Sequence, residues 1–327
     1  MSVGVRGIGT YLPAGVRTAA EIAERSGIAE AVLREKFGVS QVHVAGSEDH
    51  VSAMSAQAVR AALDGVSPAG LDLVVYTGSE YKDHVVWSAA TEIARQVGAQ
   101  AAAAMEVHAL CAATPITLKT VSGMMAEDPS LKSAVIVGAA RENDLIDYAN
   151  PRSRFMLNFG AGASALLLER DAPNRLVGAA FKTDSSCARD VVMPGGGTEH
   201  GPSADPFGSG ANALDVPDPD GMRERLTVSL DNFLAVARRA LAGRQADFVA
   251  VTHMKRSMHE AVLAGLDVPL EASVYLEDTG HCQSADQGIA LQRGLAQGLV
   301  KPGMVVLLLA AGTGYTWSAA AIEWDGL

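Results

Sequence analysis

Three cysteines and eight histidines are the side chains of this 327-residue chain best suited to covalent chemistry. Cys111 has the most telling setting, the run Glu106-Val-His-Ala-Leu-Cys-Ala-Ala-Thr-Pro, an apolar approach followed at once by a helix-like segment. A thiol at a helix N-terminus feels the positive end of the macrodipole, which raises the thiolate fraction able to attack an acyl carbon. The competing reading is a small buried core cysteine, since free Cys is among the most buried residue types. Cys187 and Cys282 lie far from it in sequence, and no Cys-x-x-Cys pair indicates zinc or a disulfide framework. All three are expected to be reduced thiols, and no metal site is expected.

The elements that must position Cys111 alternate between short β-branched or apolar runs and longer Ala-rich helical patterns, which predicts α/β layering around a buried sheet. Strands are expected at Val3–Ile8, Leu73–Thr77, Ala134–Val137, Ala165–Leu168, Leu176–Phe181, Phe248–Thr252, Met304–Leu309 and Ala319–Glu323. They fall into two sets with similar crossovers, one of which carries Cys111. This suggests a duplicated unit, with a seam where Asp171-Ala-Pro-Asn174 breaks the pattern and halves at 1–172 and 173–327. The Gly- and Pro-rich stretch Pro194–Gly221 lacks periodicity and reads as a flap, a subunit-contact loop or a plain solvent loop.

Composition narrows the partners. A formal net charge of -11 with no block of Lys and Arg argues against nucleic acid, because phosphate binding needs a concentrated basic face. No apolar run reaches the length of a spanning helix, and the first residues lack the layout of a signal peptide. A soluble, cytoplasmic protein without membrane contact is expected.

Several motifs, taken in order, resemble the ketoacyl-ACP synthase III enzymes of the thiolase superfamily. They are the opening Gly4-Val-Arg-Gly-Ile-Gly-Thr-Tyr-Leu-Pro, the Cys111 segment, Asn158-Phe-Gly-Ala-Gly-Ala, Thr252-His-Met-Lys, Asp278-Thr-Gly-His-Cys-Gln-Ser-Ala and Ala311-Gly-Thr-Gly-Tyr-Thr-Trp-Ser. The resemblance spans nearly the whole chain. It implies the thiolase fold with duplicated α-β-α-β-α layers, a homodimer, and an acyl-enzyme formed on a cysteine from an acyl carrier protein or coenzyme A thioester. Carried over by position, Cys111 matches the nucleophile and His253 the family's His. Gly312, Thr313 and Gly314 offer backbone N–H groups which, with the Cys111 amide, would polarise the thioester carbonyl; the glycines could instead merely serve a tight turn.

Three features depart from the family pattern. His281 stands where the family has Asn, exchanging a fixed hydrogen-bond donor for a group that can also accept a proton. A His pair, His253 with His281 as acid/base groups, is better matched to deprotonating an acceptor hydroxyl, amine or thiol than to supporting decarboxylation. Thr77-Gly-Ser-Glu80 resembles the strand end of hydroxymethylglutaryl-CoA synthases, whose Glu enolises an acetyl thioester; Glu80 is thus either a general base near Cys111 or a surface carboxylate paired with Lys82 or His84. Val32 and Lys36 occupy the positions of an adenine-stacking Trp and a nearby Arg, which favours a carrier-protein donor over coenzyme A. Cys282 is a rival nucleophile without a preceding helix start, and His108 and His259 read as local histidines. Three functions follow: an acyltransferase acting on a small-molecule acceptor in secondary metabolism; a carbon-carbon condensing enzyme; or a non-catalytic partner subunit.

Overall fold

All eight expected runs are strands in the structure, a computed structural model that describes residues 2–201 and 211–327. In chain order the strands are β1 (Val3–Tyr11), β2 (Gly15–Thr18), β3 (Gln41–Val44), β4 (Leu73–Gly78), β5 (Ala103–His108), β6 (Ser133–Ala140), β7 (Gly162–Arg170), β8 (Asn174–Thr183), β9 (Phe248–Val251), β10 (Met304–Gly312) and β11 (Thr316–Trp324). The helices are α1 (Ala19–Ser26), α2 (Glu30–Val32), α3 (Val51–Leu63), α4 (Ala89–Val97), α5 (Ala113–Glu127), α6 (Pro219–Arg225), α7 (Ser229–Leu241), α8 (Arg256–Gly265) and α9 (Asp286–Ala296). Three strands were not anticipated. β2 and β3 are four residues each, and β5 opens on alanines whose intrinsic preference is helical. Parallel pairing with β4 holds β5 extended.

The main sheet runs β5-β4-β6-β7-β1-β8-β11-β10-β9. β1 and β8 share only two register pairs, Gly4 with Arg175 and Val5 with Asn174, so the sheet is two halves joined by a narrow seam. Each half repeats one pattern. β1 is antiparallel to β7, β7 antiparallel to β6 and β6 parallel to β4; in the same way β8, β11 and β10 run antiparallel in turn and β10 is parallel to β9. A parallel bridge from Val249 to Ser273 takes the place that β5 has beside β4.

Side-chain alternation builds the layers. Leu73, Ile136 and Leu168 in the first half, and Phe248, Leu308 and Ile322 in the second, turn inward onto Leu118 and Val121 of α5 and Ile289 of α9. The intervening residues turn outward, Val74 and Val135 under α3 and α4, and Val249 and Leu307 under α7 and α8. The result is helix, sheet, helix, sheet, helix. Burial on both faces explains why the strands read as continuous apolar runs. The Pro194–Gly221 expectation falls partly on 202–210, which lie outside the described residues; the flanks are tied by a bridge from Val192 to Asp215 and end in α6. Among the described residues no helix is long and apolar enough to cross a membrane.

Candidate active site

Cys111 sits in a 3-10 turn, Leu110–Ala112, that leads directly into α5. Leu110 adopts φ 51°, a left-handed conformation that a branched residue holds only when its surroundings enforce it. Two cross-links enforce it here: Ser318 Oγ donates to the Ala112 carbonyl at 2.8 Å, and Thr114 Oγ1 donates to the Ser284 carbonyl at 2.6 Å. Gly312, at the end of β10, packs against the same turn. A Cβ at that position would lie 2.9 Å from the Ala112 nitrogen and 3.1 Å from the Cys111 nitrogen, so only glycine allows this approach.

His281 reaches the thiol from the other half of the molecule. Its Nε2 lies 3.0 Å from Cys111 Sγ, and its Nδ1 lies 2.6 Å from Asp286 Oδ2. Asp286 is the first residue of α9 and fully buried; Oδ2 also accepts from the His253 backbone N–H at 2.7 Å, and Oδ1 accepts from the Cys282 N–H at 2.7 Å. This carboxylate is therefore fixed, and it fixes the ring in turn, with Nδ1 protonated toward Asp286 and Nε2 toward sulfur. Burial opposes charge on the His281 ring, but the sulfur on one side and the carboxylate on the other carry its pKa well above the ordinary value. The edge of Phe159 packs on the ring at 5.0 Å between centroids. Asp286 was not anticipated from the sequence; an Asp five residues after a candidate His, at a helix start, was the available signal.

His253 lies in the same cavity but touches neither the thiol nor His281's partner oxygens through its ring. Both of its ring nitrogens are buried without a hydrogen-bond partner, and burial lowers its pKa to about 3, so it stays neutral in the working range. Of the two histidines expected to serve as acid/base groups, His281 contacts sulfur and His253 does not.

Glu80 requires a second correction. It does not line the cavity; its side chain is 75% exposed, pairs closely with His108 and lies 3.9 Å from Lys82. A carboxylate held at the surface and outside the cavity has no thioester within its reach. Cys282 is fully buried, and burial raises its thiol well above the ordinary value, which leaves it inert. His259 is a buried local histidine with its pKa lowered by burial to about 4. Thr313 lines the cavity, whereas Gly312 shapes it from behind.

The cavity itself has a volume of about 240 Å³. Cys111, His281, His253 and Asn158 form its buried end, and half-buried Phe37 and exposed Lys255 stand toward the surface. Phe37 is carried there by a π-helical turn, Leu33–Phe37, a local irregularity that recurs at functional sites. Lys255 Nζ sits 5.7 Å from the Phe37 ring centre. Among the described residues no group of three or more His, Cys, Asp or Glu side chains is placed to hold a metal ion.

Residues 105–185 match the family model of 3-oxoacyl-[acyl-carrier-protein] synthase III, and residues 236–324 match the model of that enzyme's C-terminal part. A β-ketoacyl-[acyl-carrier-protein] synthase III of Paramagnetospirillum magneticum is 26% identical, with 97% of each chain covered. The crystal structure of 3-oxoacyl-(acyl carrier protein) synthase III from Pseudomonas aeruginosa superposes with a TM-score of 0.85 at 24% identity, covering 100% of this chain and 99% of that one. The priming β-ketosynthase of the R1128 polyketide pathway superposes with a TM-score of 0.84 at 23% identity, covering 99% and 97%. Both likenesses are of fold.

Proposed function

The chain belongs to the 3-oxoacyl-[acyl-carrier-protein] synthase III family, with the thiolase fold and the cysteine-dependent acyl chemistry of that family, and from this premise we propose that it is an acyltransferase passing an acyl group from a carrier or coenzyme A thioester to a small-molecule nucleophile. The observation that carries this reading is the line Cys111 Sγ, His281, Asp286, with spacings of 3.0 and 2.6 Å.

In the first half-reaction Cys111 gives its proton to His281 Nε2, its sulfur bonds to the donor carbonyl carbon, the donor C–S bond breaks, and His281 returns the proton to the departing thiol. Acylation occupies the sulfur and frees Nε2. In the second, Nε2 takes the proton of the acceptor O–H or N–H, the acceptor atom bonds to the acyl carbon, the C–S bond to Cys111 breaks, and the proton passes to the sulfur. Asp286 keeps the ring in the required tautomer, the role a buried carboxylate plays behind an acid/base histidine. The amides of Cys111 and the Gly312–Gly314 segment hold the carbonyl oxygen as charge develops on it.

Decarboxylative condensation is the second reading, favoured by one observation: neutral His253 has an unpartnered ring facing the cavity and suits a developing enolate oxygen. Its companion would be His281 Nε2, freed once Cys111 is acylated; the bond from the other ring nitrogen to Asp286 equips Nε2 to take a proton from an acceptor. Intact-mass analysis after incubation with acyl thioesters is expected to find the acyl group on Cys111, and malonyl thioesters are expected to release little carbon dioxide. Robust release with a β-keto product would establish condensation instead.

A homodimer and a carrier-protein donor complete the proposal. β5 ends the main sheet, and its Ala103, Ala104 and His108 are exposed, which supports pairing of two copies across a two-fold axis. Light scattering at low micromolar concentration tests this, and a stable, active monomer would refute it.

A further inference from the structure

Aromatic residues make up only 5% of the chain, yet Phe37, Phe155, Phe159, Phe233 and Tyr315 all line the cavity in front of Cys111, including four of the chain's seven phenylalanines. The donor's slender thioester arm passes the same wall on its way to Cys111, but it leaves unfilled the ring faces that another ring packs against. Within this wall Asn158 Oδ1 and both His253 ring nitrogens have no hydrogen-bond partner, although the two residues are only 7% and 3% exposed. A buried polar atom left unpaired carries an uncompensated desolvation penalty, which a ligand supplying the missing bond recovers. Asn158 is also tied to the base, because its carbonyl accepts the His281 backbone N–H at 2.7 Å.

These observations, taken with the acyl-transfer reading on which the inference rests, point to the identity of the acceptor, and we infer that it is a compact ring-bearing alcohol with a second N–H or O–H group. The ring lies against the phenylalanines, the second polar group donates to Asn158 Oδ1, and the hydroxyl to be acylated sits at His281 Nε2. Asn158 is a positioning residue. An apolar cavity of about 150 Å³ already takes benzene, so about 240 Å³ holds a ring with short substituents. The transfer balances as ester formation: the acceptor proton goes to His281, the oxygen bonds to the acyl carbon, the C–S bond breaks, and the sulfur takes the proton back.

The test measures discharge of acyl-Cys111 by 4-(2-hydroxyethyl)phenol, its saturated counterpart 4-(2-hydroxyethyl)cyclohexanol, 2-phenylethanol and the open-chain 1,8-octanediol, alongside calorimetric binding of each to Cys111→Ala, in which no transfer occurs. At least one ring diol is expected to bind and discharge about tenfold better than the open-chain diol, and the two ring diols together tell whether the ring is aromatic or saturated. Loss of the second hydroxyl is expected to raise KM about tenfold in the wild type but far less in Asn158→Leu, with kcat moving less than KM. Equal or better performance by the open-chain diol overturns the inference and leaves acyl transfer standing, a comparison made in the wild type and so independent of how Asn158→Leu folds. An undiminished second-hydroxyl effect in a folded Asn158→Leu also overturns it. Ring diols that bind Cys111→Ala while acyl-Cys111 is discharged only by malonyl thioester would overturn it through failure of the acyl-transfer reading.

Discussion

The molecule contains two turns of the same shape with opposite fates. Leu110–Ala112 and Gln283–Ala285 are both 3-10 turns whose first residue has a positive φ, 51° and 50°, and each launches one of the two central helices. Each is backed by a strand glycine, Gly312 against Cys111 and Gly138 against Ser284. In the first turn the second residue, Cys111, meets His281 and an open cavity. In the second, Ser284 is fully buried and its hydroxyl donates to the Thr77 carbonyl at 2.9 Å. The backbone alone does not make a nucleophile. A base within hydrogen-bond distance and space for an acyl group do, and only the Cys111 turn has them.

The strongest challenge to this contrast is Cys111→Ala against Ser284→Ala. Intact-mass labelling with an acyl thioester is expected to vanish in the first and persist in the second; labelling of Cys111→Ala at the wild-type level would erase the distinction. Next in size is the base. Asp286→Asn is expected to leave Cys111 in place yet slow transfer by about 10² to 10⁴, since a lost or misoriented general base costs about that much. A rate within a factor of about three of wild type would mean that Asp286 merely anchors the His253 and Cys282 backbone amides.

Three buried titratable groups also contrast across the seam, Glu142 in the first half with His253 and His259 in the second. Glu142, just beyond β6, receives a short hydrogen bond from Ser79, and burial raises its pKa to about 7. The folded protein then holds a proton that the unfolded chain has released, so stability is full below pH 4.5 and falls as pH rises toward 7. Glu142→Gln is expected to raise stability at pH 8 by about 3 kcal/mol and to change little at pH 4, as read by denaturant melts. In the second half His253 and His259 have lowered pKa values, about 3 and 4. There the unfolded chain binds protons that the folded one refuses, so stability falls as pH drops below 6.5. A Glu142→Gln variant no more stable than wild type at pH 8 would remove this contrast. The smallest effect belongs to Ser284→Ala, whose lost buried hydrogen bond is expected to cost about 1 kcal/mol in the same melts.

Strand positions were legible because each main strand is apolar on both faces, and the duplication was legible in the repeated spacing. β5 was not, because alanines at a sheet edge take their conformation from a neighbour rather than from themselves. Cys111 announced itself by the helix that follows it, and His281 by standing where the family has Asn. Asp286 became visible only when the start of α9 placed three hydrogen-bond donors around one carboxylate. Glu80 misled for the opposite reason: a motif records residue order, and exposure at a strand end is a property of packing. Asn158 lay within a motif that served only the family resemblance, and nothing in one dimension reveals that a buried amide oxygen has no partner.

The thiol and its base are 170 positions apart in the chain. Synthesis delivers the first half early, and a domain whose defining contacts are this distant completes them late. A ribosome-bound chain that has emerged only as far as β8 therefore carries Cys111 and the Phe37, Phe155 and Phe159 part of the aromatic wall, but neither the base His281 nor Asp286 that would activate the thiol. Reactivity arrives in one step, when β9 to β11 and α9 dock, so that an unfinished protein does not acquire an acyl group it has no means to pass on.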